Sequence, residues 1–412
     1  MLKAIGLPLL LALAAGEAIQ IRGPATILWT APAILFASMS IAWAAESAQF
    51  FIAQGFALAI LAWMQTLPEF AGEAVLAWHR QVPFLFAALT GALRLLTGLG
   101  WPMIYFAAAT VYRRREGEPL DRIVLEGEHS VQVVGLLAAL IYIGVIVAKG
   151  SVNLFDAVVL TAIYAAYLAL LGKMPPQEEE GIEDLERIPR TIVLAPRARR
   201  IAFIGGLFLI GGGLIYVSTN PFIGSLFGIS NSLGVPSFIF IQWVFPFVTE
   251  FPEGLSTFYF ARTVIRAPMA LMNMVSSNIN QWTLLVAMLP VVLSLSAGKI
   301  TPLPMDHQQT LEVLMTVGQQ LVGMLFLVNM ELAWWEAAAL FVLWFVQFVA
   351  SAIPPGSQLG EIAVHVHGWI TVTYFVWAAW ELLRLLLGQR KPVAFTEFAK
   401  MWRTHVTAAE NR

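Results

Sequence analysis

The sequence predicts an all-α integral membrane protein whose ten-helix core is two inverted groups of five helices. Three observations predict it. First, the chain of 412 residues is 58% hydrophobic and only 12% charged, with mean hydropathy +0.74, whereas a soluble domain carries about 25% charge. Apolar runs of helix length recur from end to end, the pattern of a polytopic bundle. Second, a Pro-Glu pair interrupts two of those runs, once at Pro68-Glu69 and again at Pro252-Glu253. Third, basic residues segregate by loop. With ten core helices, 12 Lys or Arg fall on one side, from Arg113 to Arg266, against 4 on the other, Arg22, Arg80, Lys149 and Lys299. The richer side is the expected cytoplasmic one.

The elements follow in order. Leu2–Ala18 is apolar, with Lys3 inside it and small residues near its end. It reads as a signal sequence or an extra helix, and Glu17 spoils a clean cleavage site, so a retained helix is expected. Ten core spans come next: Trp29–Ala53, Gly55–Trp78, Pro83–Thr110, Ser130–Ala148, Leu154–Leu171, Arg200–Thr219, Pro236–Phe260, Pro268–Ala297, Leu311–Met330 and Trp335–Ala352. Ile362–Leu387 is an eleventh, ahead of a basic tail. The expected division is an N-terminal extra segment (1–28), a first five-helix repeat (29–172), a charged cytoplasmic linker (173–200), a second repeat (201–353), and a C-terminal extra helix with tail (354–412). Both termini are then cytoplasmic. The linker holds the acidic run Glu178–Glu180 and is too short for a sizeable domain.

Five is odd, so the two groups enter the membrane from opposite sides. Each carries Pro-Glu on its second helix. Each third helix then has small polar residues near its start, Thr90-Gly91-Ala92 in one and Ser276-Ser277-Asn278 in the other, with Thr90 and Ser277 at matching places. In such inverted repeats the site lies near the midplane, where the halves meet.

Placing an ionised residue at the bilayer centre costs on the order of 2.5–3.5 kcal/mol. Glu69 and Glu253 are therefore expected to face the bundle interior. Proline removes a backbone donor and frees a carbonyl one turn upstream. A freed carbonyl beside a carboxylate makes a hard-oxygen site of the kind that takes Ca²⁺ or Na⁺; the bland alternative is a kinked helix with a buried, protonated Glu. Thr66 and Glu73 lie at −3 and +4 from Glu69, and Glu250 lies at −3 from Glu253 beside Thr249. Thr90 and Arg94 share one face of the third helix; Ser277 and Gln281 share the matching face of its counterpart. For these polar residues, interhelical hydrogen bonding is the alternative.

At these residues the chain resembles the sodium/calcium exchanger family, within the Ca²⁺/cation antiporters. That family carries Thr-Ser-x-Pro-Glu/Asp-like elements on its second helices and Gly-Ser-Asn-Ile-x-Asn-like elements on its third. Here they stand as Gln65-Thr66-Leu67-Pro68-Glu69, Thr249-Glu250-Phe251-Pro252-Glu253, Thr90-Gly91-Ala92-Leu93-Arg94 and Ser277-Asn278-Ile279-Asn280-Gln281. The resemblance implies a secondary active antiporter, not an enzyme, that exchanges Ca²⁺ for Na⁺ or H⁺ across a cell membrane. It implies no bound cofactor, and partners limited to the bilayer and the transported cations. It assigns Glu69 and Glu253 to the central Ca²⁺, with Thr66, Thr249, Thr90 and Ser277 as further ligands.

Four residues depart from the family pattern: Gln65, Glu250, Arg94 and Gln281. Arginine cannot coordinate a cation and stays charged. Arg94 is expected to pair with Glu250 or Glu69 across the repeat interface, which would reduce the number of coupling ions. Two other readings stay open: a monovalent cation/H⁺ exchanger on this fold, and a non-transporting sensor or partner subunit with degenerate sites. Net charge of −2 gives no sign of a nucleic-acid partner, and zero Cys excludes thiolate chemistry. No Walker element, zinc-protease motif or nucleophile elbow occurs. His365 and His367, two apart on a helix, are not expected to hold a metal.

Overall fold

The computed structural model describes residues 19–51, 66–174, 182, 185–353 and 360–407. The segment Leu2–Ala18, Gln65 and the run Glu178–Glu180 lie outside them. The first repeat contains α1 (Ile27–Gln49), α2 (Leu67–Trp78), a third helix made of α3 (Val82–Leu95), a π-helical turn (Leu96–Gly100) and α4 (Trp101–Glu116), then α5 (Ser130–Lys149) and α6 (Leu154–Leu171). A short α7 (Arg187–Leu194) follows. The second repeat has α8 (Arg197–Leu233) and a second helix broken into α9 (Ser237–Ile239), a π-helical turn (Phe240–Val244), α10 (Phe245–Thr249) and α11 (Phe251–Ala261). Its third helix is α12 (Ala267–Asn280), a π-helical turn (Gln281–Leu285) and α13 (Val286–Ala297). Then come α14 (His307–Leu327), α15 (Trp334–Ser351), and beyond the repeat α16 (Gly360–Leu386) and α17 (Val393–Met401). Among the described residues, eight helices are long and apolar enough to cross a membrane.

Four short strands establish the inversion. β1 (Arg122–Val124) lies between the third and fourth helices of repeat one, and β4 (Glu331–Ala333) between the fourth and fifth of repeat two. They pair antiparallel, Ile123 opposite Leu332. β2 (Ser151–Val152) and β3 (Leu303–Pro304) pair in the same crossed manner, Val152 opposite Leu303. A fourth helix carries its two flanking loops to opposite faces of a membrane. Crossed pairing on both faces therefore requires repeats that run in opposite senses.

Local sequence repeats the same devices. Asp156 caps α6 by accepting from the Asn153 N–H at 2.7 Å, and its counterpart Glu336 caps α15 by accepting from Ala333 N–H at 2.9 Å. Ahead of the fourth helices the backbone N–H of Glu126 donates to His129 Nδ1, and that of Asp306 donates to Gln309 Oε1 in the same register. Both third helices hold a π-helical turn near their midpoints, a local widening that often marks functional sites.

Two segments differ from the sequence reading. The linker is not only a charged loop. Pro189 sits in the first turn of α7, which buries Ile192 and Val193 against α1 and α8. And α8 does not stop at Thr219. It runs through Pro221 to Leu233 and ends where Gly234 takes φ +65°. Pro221 costs one backbone hydrogen bond, to the carbonyl of Val217, while Phe222, Ile223 and Leu226 beyond it are fully buried. Packing outweighs the break.

Glycine permits the central crossings. A Cβ on Gly91 would lie 1.9 Å from the Gln242 carbonyl oxygen, and one on Gly72 would lie 2.0 Å from the Phe245 ring. The first obstacle is backbone and cannot rotate away. Gly91→Ala is expected to destabilise the protein by about 3 kcal/mol or more, the upper end for overpacking. Gly254→Ala on α11, where nothing lies within 4 Å, is the control and should leave thermal unfolding in detergent unchanged or slightly raised. Equal melting of the two variants would contradict this account.

Candidate cation site

The Pro-Glu elements place two carboxyls at helix N-termini. Thr66 (φ −87°, ψ 0°) precedes α2, and Glu250 (φ −88°, ψ −9°) precedes α11, so the two breaks share one geometry. Proline occupies the first turn of each half-helix, where its missing N–H is no loss. Glu69 and Glu253 fall in those first turns, at the positive end of each helix dipole. In α11, Pro252 also gives no N–H to the carbonyl of Val248 one turn upstream.

The carboxyls converge. Glu250 stands three residues before Glu253 on the broken helix and shares the Gln281 amide with Glu69. Gln281 Nε2 donates to Glu69 Oε2 at 2.8 Å and to Glu250 Oε1 at 2.6 Å. Ser277 Oγ donates to Glu253 Oε1 at 2.5 Å. Among the described residues, none donates to Glu69 Oε1, Glu253 Oε2 or Gln281 Oε1. All three Glu are buried, Glu250 the most exposed at 6%. Among the described residues, no three His, Asp or Glu yet stand at metal-ligating spacing. The Gln281 amide lies between two of the carboxyls, so rotation of that amide would exchange a donor for a hard oxygen.

The remaining sequence candidates divide. Thr66 accepts from Asn280 Nδ2 at 2.8 Å, across the repeat interface. Thr249 Oγ1 bonds back to the Phe245 carbonyl at 3.2 Å. Thr90 Oγ1 bonds back to the Phe86 carbonyl at 2.6 Å and accepts from Arg94 Nη2 at 3.3 Å, so its bonds lead away from the carboxyls. Glu73, one turn beyond Glu69, is fully buried, and neither of its oxygens has a partner among the described residues.

The expected partner of Arg94 is corrected. Arg94 pairs neither with Glu250 nor with Glu69. Its Nη1 lies 2.7 Å from Glu312 Oε2 on α14. Gln242 Nε2 donates to the same oxygen at 2.9 Å, and His367 Nε2 of α16 lies 3.7 Å from Oε1. The physical reason is packing: α3 lies against α14 and the Phe240–Val244 turn, which brings Glu312 and Gln242 to the guanidinium. Glu312, Gln242, Asn280 and His367 were not among the sequence candidates. Glu312 carried a usable signal, an acidic residue inside the ninth apolar span.

A cavity of about 510 Å³ opens beside the β1–β4 pair, lined among others by Arg122, Glu331, Trp334 and Lys391. It shares no residue with the carboxyl cluster.

Two inverted five-helix repeats that meet at broken, carboxyl-bearing helices define a secondary ion transporter. The chain belongs to the sodium/calcium exchanger family: the signature described as sodium/calcium exchanger protein matches residues 23–173 and 203–352. It is thus a multi-pass membrane cation antiporter. Among solved structures, the crystal structure of an H⁺/Ca²⁺ exchanger, CAX, is similar at 28% identity and TM-score 0.81, covering 100% of this chain and 97% of that one. The sodium-calcium exchanger NCX_Mj, soaked with Na⁺ and Sr²⁺, is similar at 18% identity and TM-score 0.51, covering 79% of this chain and 97% of that one, which shows the shared fold. Among curated protein sequences, none matches.

Proposed function

We propose that the chain exchanges Ca²⁺ for H⁺ at the cluster of Glu69, Glu250 and Glu253, with Ser277, Gln281 and the Val248 and Thr249 carbonyls as further oxygen ligands. One observation carries the reading. Three buried carboxyls gather on Gln281 and Ser277, one face of one helix, and among the described residues no Lys or Arg is paired with them, because Arg94 is held by Glu312. Buried carboxyls gathered this closely cannot all stay charged without a cation, so protons take its place. A divalent cation needs the same oxygens with those protons gone. The two cargoes exclude each other, and that exclusion is the coupling. Sodium is less favoured, because on the repeat-one side Thr90 and Arg94 bond away from the carboxyls and neither offers them a ligand. The similarity to an H⁺/Ca²⁺ exchanger over the full chain points the same way.

The Lys- and Arg-rich face, which carries β1, β4 and the C-terminal tail, is the proposed cytoplasmic face of a cell membrane. The test is flux into proteoliposomes. With an acidic lumen and Ca²⁺ outside, Ca²⁺ should enter as the pH gradient collapses. Equal Ca²⁺ uptake from an outward Na⁺ gradient at uniform pH would overturn the choice of counter-ion. No Ca²⁺ movement under H⁺, Na⁺ or K⁺ gradients would overturn Ca²⁺ antiport itself.

A further inference from the structure

The repeats differ at two matched pairs of positions where a third helix crosses a fourth. Arg94 of the third helix in repeat one stands where Gln281 stands in repeat two. On the fourth helices, the register that aligns Glu126 with Asp306 and His129 with Gln309 also sets Gln132 against Glu312. Each third helix packs on the fourth helix of the other repeat, α3 on α14 and α12 on α5. One crossing therefore offers two amides, Gln281 and Gln132, and the other offers a guanidinium and a carboxylate.

The position of Arg94 is within reach of the cation site, as its counterpart demonstrates. Gln281 bonds both Glu69 and Glu250. By the repeat relation, a side chain at position 94 that took the course of Gln281 would meet Glu253 and Thr66, and arginine is the longer of the two side chains. A free guanidinium beside buried carboxylates pairs with them strongly. It would supply the positive charge that the cargo is meant to supply. In this structure it does not. Arg94 is fully buried and held at three points: Nη1 in an ion pair with Glu312 Oε2, Nε donating to the Thr90 carbonyl at 3.0 Å, and the guanidinium 5.4 Å from the Trp243 ring. Gln242 fixes the Glu312 carboxylate in turn.

We infer that Glu312 is a positioning residue that keeps the Arg94 guanidinium out of the cation site, leaving the three carboxyls free for cargo. This rests on the reading of those carboxyls as the site. It treats Arg94 as an internal competitor under restraint.

The test compares Glu312→Gln, Arg94→Gln and the double variant, which converts this crossing to the two-amide form of the other half. The readouts are Ca²⁺ binding to purified protein by calorimetry, half-saturating Ca²⁺ in proteoliposomes, and thermal unfolding. Glu312→Gln should raise the dissociation constant and the half-saturating concentration at least about tenfold, equivalent to ~1.4 kcal/mol. The double variant should return both to within about threefold of wild type. Arg94→Gln alone should melt earlier, because Glu312 loses its cation, yet bind Ca²⁺ near normally. A merely structural pair would not give rescue of affinity by the second substitution. Unchanged affinity in Glu312→Gln, or a double variant no better than that single one, would overturn the inference. If Glu312→Gln does not fold, Glu312→Asp keeps the charge but shortens the reach; it should still weaken binding, and binding equal to wild type would overturn the inference. Wild-type protein that binds no Ca²⁺ would overturn the site reading itself, and this inference with it.

Discussion

Glu69→Gln and Glu253→Gln are each expected to lower coupled Ca²⁺ transport on the order of 100-fold or more, with little change in thermal stability. The amide keeps the size of the side chain. Its oxygen can still accept from Gln281 or Ser277, the donors that hold these carboxyls now. What is lost is one negative charge of three around a dehydrated divalent cation, and at short range that loss dominates affinity. The proton side fails as well, since an amide neither releases nor takes up a proton. Glu331→Gln is the control. That residue is partly exposed on β4 and paired with the exposed Arg122 at 2.9 Å, and such solvent-facing pairs contribute little. Calcium uptake driven by a pH gradient is the measurement. Flux above a tenth of wild type in either Gln variant would remove that carboxyl from the site.

Arg390→Ala should cost about 3–5 kcal/mol, the penalty for removing one partner of a buried ion pair. Arg390 is 6% exposed and lies beyond the end of α16. Its Nη2 reaches Glu336 Oε1 at 2.6 Å, the Phe326 carbonyl at 2.5 Å and Asn329 Oδ1 at 3.0 Å; its Nη1 reaches Glu381 Oε2 at 2.9 Å. One side chain thus joins α14, α15 and α16. Glu381 keeps a second partner in Arg384, at 3.0 Å, but Glu336 is left buried with only its cap bond. Unfolding in detergent should shift to lower temperature, and Glu336→Gln in the same chain should recover part of the loss. No shift in Arg390→Ala would show that α16 is held by apolar contact alone.

The fold was legible because membranes punish exceptions. Pro-Glu inside an apolar run, made twice, has few explanations, and an odd step of five spans from one copy to the next implies inverted repeats. Glu69 and Glu253 stood out for the same reason. The company they keep was less legible. Gln281 looked like a weakened ligand position, yet its amide bridges two carboxyls. Arg94 was assigned to the nearest acids in the motifs, while its partner Glu312 lies on a helix of the other repeat, far along the chain. Contact between α3 and α14 is decided by packing of the whole bundle, which no local pattern encodes. The end of α8 was missed for a similar reason: the span was ended at Thr219, ahead of Pro221, and burial of Phe222, Ile223 and Leu226 explains why the helix continues.

The crossed strand pairs have a mechanical consequence. β1–β4 on one face and β2–β3 on the other stitch the third, fourth and fifth helices of each repeat to those of its twin. α1 and α8 lie along one another and take part in neither seam. α1 and α8 therefore form a pair that the proposed antiport could move without undoing a stitch. Under that proposal, the side to which the carboxyls open is set by where this pair stands.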